Sequence, residues 1–201
     1  MKLFGILIMT APAELPEAVI CTSAIDVSSF GFFQRSSAQE FIIFVSRTVS
    51  KRVQPFSKIQ VVQEPHVIFA QASGDGLVAV AVCDNEYNPR VAFTMLSQVL
   101  QDFQQTFRGK YQRPMGDNFI QWPELQPTLT KYQNPEEADK ILKIKKEIEE
   151  TKVVMYDAID KILERGEKID NLVQKSDDLG MASKSFYTQA KKTNSGCCSI
   201  M

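Results

Sequence analysis

The chain has 201 residues, 44% hydrophobic and 23% charged, with a formal net charge of −1. Basic residues alternate with acidic ones, which leaves no electrostatic footprint for nucleic acid, and no run reaches the ~18 apolar residues of a membrane helix. Aromatics and proline-rich turns lie almost entirely before residue 135 and a charge-dense segment follows it, so a core-bearing domain of about 130 residues followed by an extended helix is expected.

Residues 2–10 read as a buried strand, and 17–25 as a second one after the Pro12/Pro16 turn. The same start, with Lys2, a short apolar stretch and Ala11-Pro12-Ala13, imitates a secretory signal with its cleavage site. Gly5 and Pro12 suit a strand and turn equally well. A connection through Phe30 to Phe33 leads into a helix, with Ser36 and Gln39 as its capping box. That helix should run to about Val53 and stop before Pro55. Residues 59–63, 66–72 and 77–83 follow as strands, the last two joined by the turn Ser73-Gly74-Asp75-Gly76. Pro89 opens a second long helix, whose apolar face is supplied by Val91, Phe93, Met95, Leu96, Val99, Leu100, Phe103 and Phe107. A short piece over 122–132 is limited by Pro123 and Pro127. The order ββαβββα plus a final short helix predicts an α+β fold, a mainly antiparallel five-stranded sheet with helices packed on it.

One helix carries an anomaly. At 100° per residue Ala38, Phe41, Ile42, Val45, Val49 and Val53 form one inward stripe. Ile43 and Phe44 fall outside it, on faces that should see water. Either a neighbouring loop or a more distant segment covers them.

After residue 138 the pattern changes. Alternating steps of three and four give Ile141, Ile144, Ile148, Thr151, Met155, Ala158, Ile162, Arg165, Ile169, Leu172, Ser176, Leu179, Ser183, Phe186, Ala190 and Thr193. That is a sustained heptad seam of a left-handed coiled coil. Arg165 stands in it where an apolar residue belongs. A guanidinium has five donors and no acceptor, and burying it unpaired costs several kcal/mol. A homo-oligomer would stack arginine on arginine there, so the seam argues for a hetero-oligomer whose other helices supply acceptors. Gly166 and Gly180 each cost about 1 kcal/mol in a helix interior, so the segment should gain its order by joining partners.

The run Ile162-Leu163-Glu164-Arg165-Gly166-Glu167-Lys168-Ile169, with layers several heptads either way, resembles the core motif of an R-SNARE. The resemblance implies three partner helices carrying glutamine at the Arg165 layer, whose amide oxygens are the missing acceptors. The order of elements before it is similar to the longin domain, the profilin-like module of one R-SNARE subgroup. Val27 to Phe30, Phe32 to Ser37, Asp84 to Tyr87 and Arg90 to Phe93 look like the prenylated member of that subgroup, which lacks a transmembrane helix. The implied organisation is a longin domain over 1–131, a linker over 132–137, the SNARE motif over 138–193 and a lipidated tail over 194–201.

The four cysteines form neither a disulfide framework nor a zinc spacing. Cys21 and Cys83 read as small buried apolar residues. With the only histidine, His66, they are the candidates for an enzyme, but no nucleophile elbow, phosphate loop or carboxylate pair supports one. Cys198-Ser199-Ile200-Met201 fits a prenylation box whose terminal Met favours farnesyl. Use of the box implies removal of Ser199 to Met201 and carboxymethylation of Cys198. Prenyltransferases are cytosolic, which argues against the secretory reading of the N-terminus. One lipid gives only marginal attachment, and Cys197 is the natural site of a second. The expectation is a non-enzymatic, cofactor-free vesicle-fusion protein acting with three glutamine helices and membrane lipids. By resemblance it cycles between the cytosol and the cytoplasmic face of Golgi, endosomal, vacuolar and vesicle membranes. Its own longin surface at Ile43 and Phe44 would shield the tail helix and lipid in a closed form. The alternative is a prenylated longin regulator that binds SNAREs or coats without driving fusion.

Overall fold

The structure, a computed structural model, describes residues 2–12, 14–134 and 152–195, with only the backbone at 190 and 192–195. Strands β1 (Leu3–Thr10), β2 (Val19–Ile25), β3 (Lys58–Gln63), β4 (His66–Ala72) and β5 (Leu77–Asp84) form an antiparallel set in the order β2-β1-β5-β4-β3. Helix α1 (Arg35–Ser50) packs on one face, and α2 (Pro89–Thr106) with α3 (Leu125–Tyr132) on the other. Alternate residues of β1 therefore enter different cores. Ile6 and Ile8 join Leu96 and Phe103, whereas Leu7 and Met9 join Ile42 and Val45. Coverage of both faces is why these strands read as unbroken apolar runs.

Pro89 sits at the start of α2 behind an Asn88 cap whose side chain accepts from the Arg90 amide at 2.9 Å. The Ser73–Gly76 turn closes through the Ser73 amide donating to the Leu77 carbonyl, 2.8 Å, with Gly76 at φ +86°. Glycine takes that left-handed backbone without the Cβ penalty.

Three local expectations differ. The Ser36/Gln39 capping box does not form: α1 continues from a 3₁₀ turn at Phe32–Gln34 and begins at Arg35, so Ser36 is already inside it and meets Glu40 instead. The helix ends at Ser50 rather than near Val53, and β2 starts at Val19 rather than residue 17.

The larger difference lies in the heptad segment. Its described part is not one helix. Strand β6 (Val153–Tyr156) is followed by a 3₁₀ turn (Ile159–Lys161), α4 (Ile169–Lys175) and α5 (Met181–Ser195). β6 pairs in parallel with β3, Lys58 opposite Val153 and Val61 opposite Tyr156, and makes the sheet six-stranded. Alone in solution the seam has no partner helices to bury it, so its apolar residues pack on the α1 side of the domain instead. Residues 138–151, with Ile141, Ile144 and Ile148, lie outside the described residues.

Candidate functional site: the surface where the heptad segment docks

The outer face of α1 and the edge of β3 receive the segment residue by residue. Ile159, Ile169, Val173 and Leu179 are buried in one apolar cluster with Phe44, Ile42 and Ile59, and Ile43, Ile162, Leu172 and Tyr187 pack against it half-buried. Phe44, which the inward stripe excludes, is 5% exposed. It lines a cleft with Arg47, Thr48, Leu172 and Asp178. Tyr187 stacks on Phe41 at 5.5 Å between ring centroids. Phe186 closes a small apolar cavity with Phe4, Phe30, Phe41 and His66.

Polar contacts set the register. Glu40 on α1 accepts from the Gly180 amide at 2.8 Å and from the Ser183 hydroxyl at 2.7 Å. It thereby supplies the N-terminal cap that α5 lacks in its own sequence, with its charge at the favourable end of the helix dipole. Hydrogen bonds from Ser183 and Gly180 hold the Glu40 carboxyl below its usual range. Arg52 donates to Glu167 at 2.9 Å and holds that carboxyl low as well. Arg47 is the hub: it meets Glu17 at 3.0 Å, Asp117, and Asp178 at 3.2 Å. Lys51 donates to the Pro12 and Leu15 carbonyls at 2.9 and 2.8 Å. The loop between β1 and β2, to which sequence pattern assigns no role, is thus fastened to the same helix.

Asp178 runs the other way. Burial pushes its carboxyl above the usual range, Arg47 opposes this, and Glu17, Asp117 and Asp177 add to it. The signs separate by pH. The lowered groups, Glu40 and Glu167, favour docking above the ordinary glutamate value of ~4.3, and that contribution is lost as pH falls through their depressed values. The raised Asp178 favours docking when protonated, and that contribution is lost as pH rises through its raised value. Asp178→Asn is therefore expected to slow amide exchange in residues 169–175 at pH 7, with variant and parent converging in acid. Glu40→Gln should speed exchange at pH 7 and converge with the parent only as pH falls through the depressed Glu40 value. Exchange mass spectrometry across pH reads both, and faster exchange in Asp178→Asn at neutral pH would refute the assignment.

The seam residues do not share one environment. Ile169, Leu179 and Ser183 are buried, Ala158, Ile162, Leu172, Ser176 and Phe186 are half-buried, and Met155 is 67% exposed. Arg165 is exposed, on a turn in which the Glu167 amide donates to the Glu164 carbonyl at 2.9 Å. Gly166 at φ +95° fits the third place of a type II turn. The Ala190 side chain, Cys197 and Cys198 lie outside what is described. Ile159 and Val173 are buried off-seam residues that a 3.5-residue period passes over. Glu40, Arg47 and Arg52 give no local signal, because their partners Gly180, Asp178 and Glu167 lie more than a hundred residues away in the chain.

Of the enzyme candidates, Cys21 and Cys83 are buried in the core and His66 is half-buried. Burial pushes the Cys21 thiol up to about 12 and the Cys83 thiol well above its usual value, so neither yields a thiolate near neutrality. His66 packs against Phe4 at 5.3 Å on the α1 side, while Cys83 faces the α2 side. Among the described residues no group of His, Cys, Asp and Glu could hold a metal, and no helix is long and apolar enough to cross a membrane.

A longin-type α/β unit followed by an arginine-centred heptad segment defines the R-SNARE class. Family models agree: Synaptobrevin matches residues 140–199, and the Longin model, a regulated-SNARE-like domain, matches 27–129. The chain belongs to the longin R-SNAREs of the Ykt6 type. It is 46% identical to the VAMP-like protein YKT61 of Arabidopsis thaliana over the whole of both chains. It is 41% identical to the synaptobrevin homolog ykt6 of Schizosaccharomyces pombe, again over both full lengths. These are trafficking proteins rather than enzymes, and the chain has an R-SNARE role in vesicle transport.

Proposed function

We propose that the chain is a lipid-anchored R-SNARE that drives vesicle docking and fusion, and that its longin domain holds it inactive until partners and membrane are at hand. One observation carries the second half: Ile169, Leu179 and Ser183, which must face partner helices in a bundle, are buried on the domain. One face cannot serve both. In the active form residues 138–193 zip with three glutamine helices, whose amide oxygens meet the Arg165 guanidinium. The work of fusion comes from coupled folding and apolar burial, with no bond chemistry.

The anchor is a farnesyl chain on Cys198, with Ser199 to Met201 removed and a methyl ester formed, reinforced by a second lipid on Cys197. The apolar cavity at Phe30, Phe41 and Phe186 lies where the first half of α5 packs on the domain and supports apolar cover in the closed form. The proposed setting is the cytosol in exchange with the cytoplasmic face of Golgi, endosomal and vacuolar membranes. Opening requires a shift of only a few kcal/mol when a membrane competes for the lipid.

The direct test is lipid mixing between liposomes carrying the anchored chain and liposomes carrying three glutamine SNAREs. Mixing that requires all four is expected, and assembly without mixing would instead indicate a non-fusogenic regulator. Cys198→Ser should leave the chain in the supernatant after membrane sedimentation, because the first lipid is the precondition for stable capture. Cys197→Ser should still allow transient contact. Sedimentation of Cys198→Ser with membranes at the parent's level would refute the anchor.

A further inference from the structure

The heptad seam gives every other residue a coordinate. One position beyond each second seam residue stand Ile159, Gly166, Val173, Gly180 and Tyr187, seven apart. In a coiled coil this column flanks the seam, and such positions usually carry Glu or Lys. The opposite flank carries Lys161, Lys168 and Lys175 at its centre, between Val154 and Ala182. This flank is uncharged through five successive heptads, from Ile159 to Tyr187, a width of apolar face that a bundle helix also uses, so its contacts in the fold-back are what set it apart.

The structure uses all five positions in the fold-back. Ile159 and Val173 are fully buried in the α1-side cluster. Tyr187 stacks on Phe41, and its hydroxyl donates to Asp170 at 2.8 Å. The Gly180 amide donates to Glu40, and a Cβ at Gly180 would stand 3.5 Å from that carboxylate, an ordinary contact. Gly166 makes the positive-φ turn that reverses the chain, and a Cβ there would meet nothing within 4 Å. Its requirement is therefore the backbone conformation, not space.

We infer that this flanking column is a recognition edge for the chain's own longin surface, formed by the outer face of α1 and the edge of β3, and separable from the seam that makes the bundle. The inference rests on the closed form described above. The buried seam residues Ile169, Leu179 and Ser183 are shared by the two states; the flanking column serves the closed one. Gly166 adds a toggle. Folded back it sits in the left-handed region, where alanine is strained, and zipped it sits in a helix, where alanine is the better residue.

The test uses the full-length chain, with amide exchange over 169–175 to read docking and a stoichiometric mixture of three glutamine-bearing SNARE helices that assembles with the parent to read zipping. Val173→Lys should cut exchange protection about a hundredfold, since it places an unpaired ammonium in an apolar cluster. It should also accelerate assembly and leave the melting temperature of the finished bundle near the parent's. Ile169→Lys, a seam change, should lose docking and bundle together. Gly166→Ala should open the chain about tenfold or more, whereas Gly180→Ala, gaining the same helix preference without the backbone strain, should do so less. Equal loss of bundle stability in Val173→Lys and Ile169→Lys would overturn the inference, as would unchanged protection in Val173→Lys or equal effects of the two glycine changes. If Val173→Lys and Phe44→Glu both release the segment while assembly rates stay constant, the recognition edge stands and the autoinhibitory reading falls.

Discussion

Phe44→Glu is expected to release the C-terminal segment from the longin domain without unfolding that domain. Phe44 is 5% exposed, and its cover comes from the segment side, in the cleft shared with Leu172 and Asp178. A carboxylate enclosed there stands beside Asp178 and costs several kcal/mol unless it finds a partner. Arg47 is already engaged by Glu17, Asp117 and Asp178. In the open form the same carboxylate faces water and costs nothing, so the whole penalty falls on the closed form. A penalty of about 4 kcal/mol corresponds to roughly a thousandfold change in the closed-to-open ratio. Small-angle scattering should show a larger radius of gyration, and limited proteolysis should cut within 152–195 while residues 14–134 resist. Membrane binding and assembly with glutamine helices should rise together. An unchanged radius and an unchanged cleavage pattern would mean that Phe44 does not hold the segment. Ile42→Glu is the contrasting control, because Ile42 points into the sheet core and its loss should unfold the domain itself.

The five antiparallel strands were legible because their sequence signal and their burial have the same cause: both faces of the sheet are covered, so every side chain of β1 is buried. The seam was legible for a similar reason, since a 3.5-residue period kept over many turns arises from little besides a supercoiled interface. What the sequence hid is the second use of that seam. Val153-Val154-Met155-Tyr156 is a good strand by local preference, but it sits inside a helical period, and only the free edge of β3 decides that it pairs as a strand. Ile43 and Phe44 signalled that some cover exists without naming it. The Arg47 hub joins residues from three distant stretches, and no local pattern brings a carboxylate from residue 17, another from 117 and a third from 178 to one guanidinium. Ser36 and Gln39 misled because a capping box is a pattern of four residues, whereas the helix start is set by the 3₁₀ turn that runs into it.

The two states divide the segment's side chains unevenly, and the division bears on control. A seam that served only the bundle would leave a row of apolar residues in water whenever partners are absent. Docking hides Ile169 and Leu179 on a surface already in the same chain, so the contact is intramolecular. On the proposed closed-to-open switch, the partners must supply only the difference between two buried states.

Arg165 is exposed in the closed form and central in the proposed bundle, so its replacement should separate the two states in the opposite sense from Phe44→Glu. In the closed form it lies exposed on the Glu164–Glu167 turn, so Arg165→Gln should leave exchange protection and the radius of gyration at the parent's values. In the proposed bundle it is the cation of a layer otherwise made of amides. Hydrogen bonds to a charged donor contribute about 1.5–3 kcal/mol each, so losing even one net bond should weaken assembly about tenfold to a hundredfold. The register should also relax, because a uniform amide layer no longer distinguishes one alignment from its neighbours. Placing arginine at the glutamine of one partner while residue 165 is glutamine restores one cation among three amides and should recover most of the affinity. Thermal melting of the assembled bundle and titration by calorimetry measure both arms. If Arg165→Gln leaves melting and affinity unchanged and the reciprocal swap adds nothing, Arg165 lies outside the central layer and the seam must be re-phased.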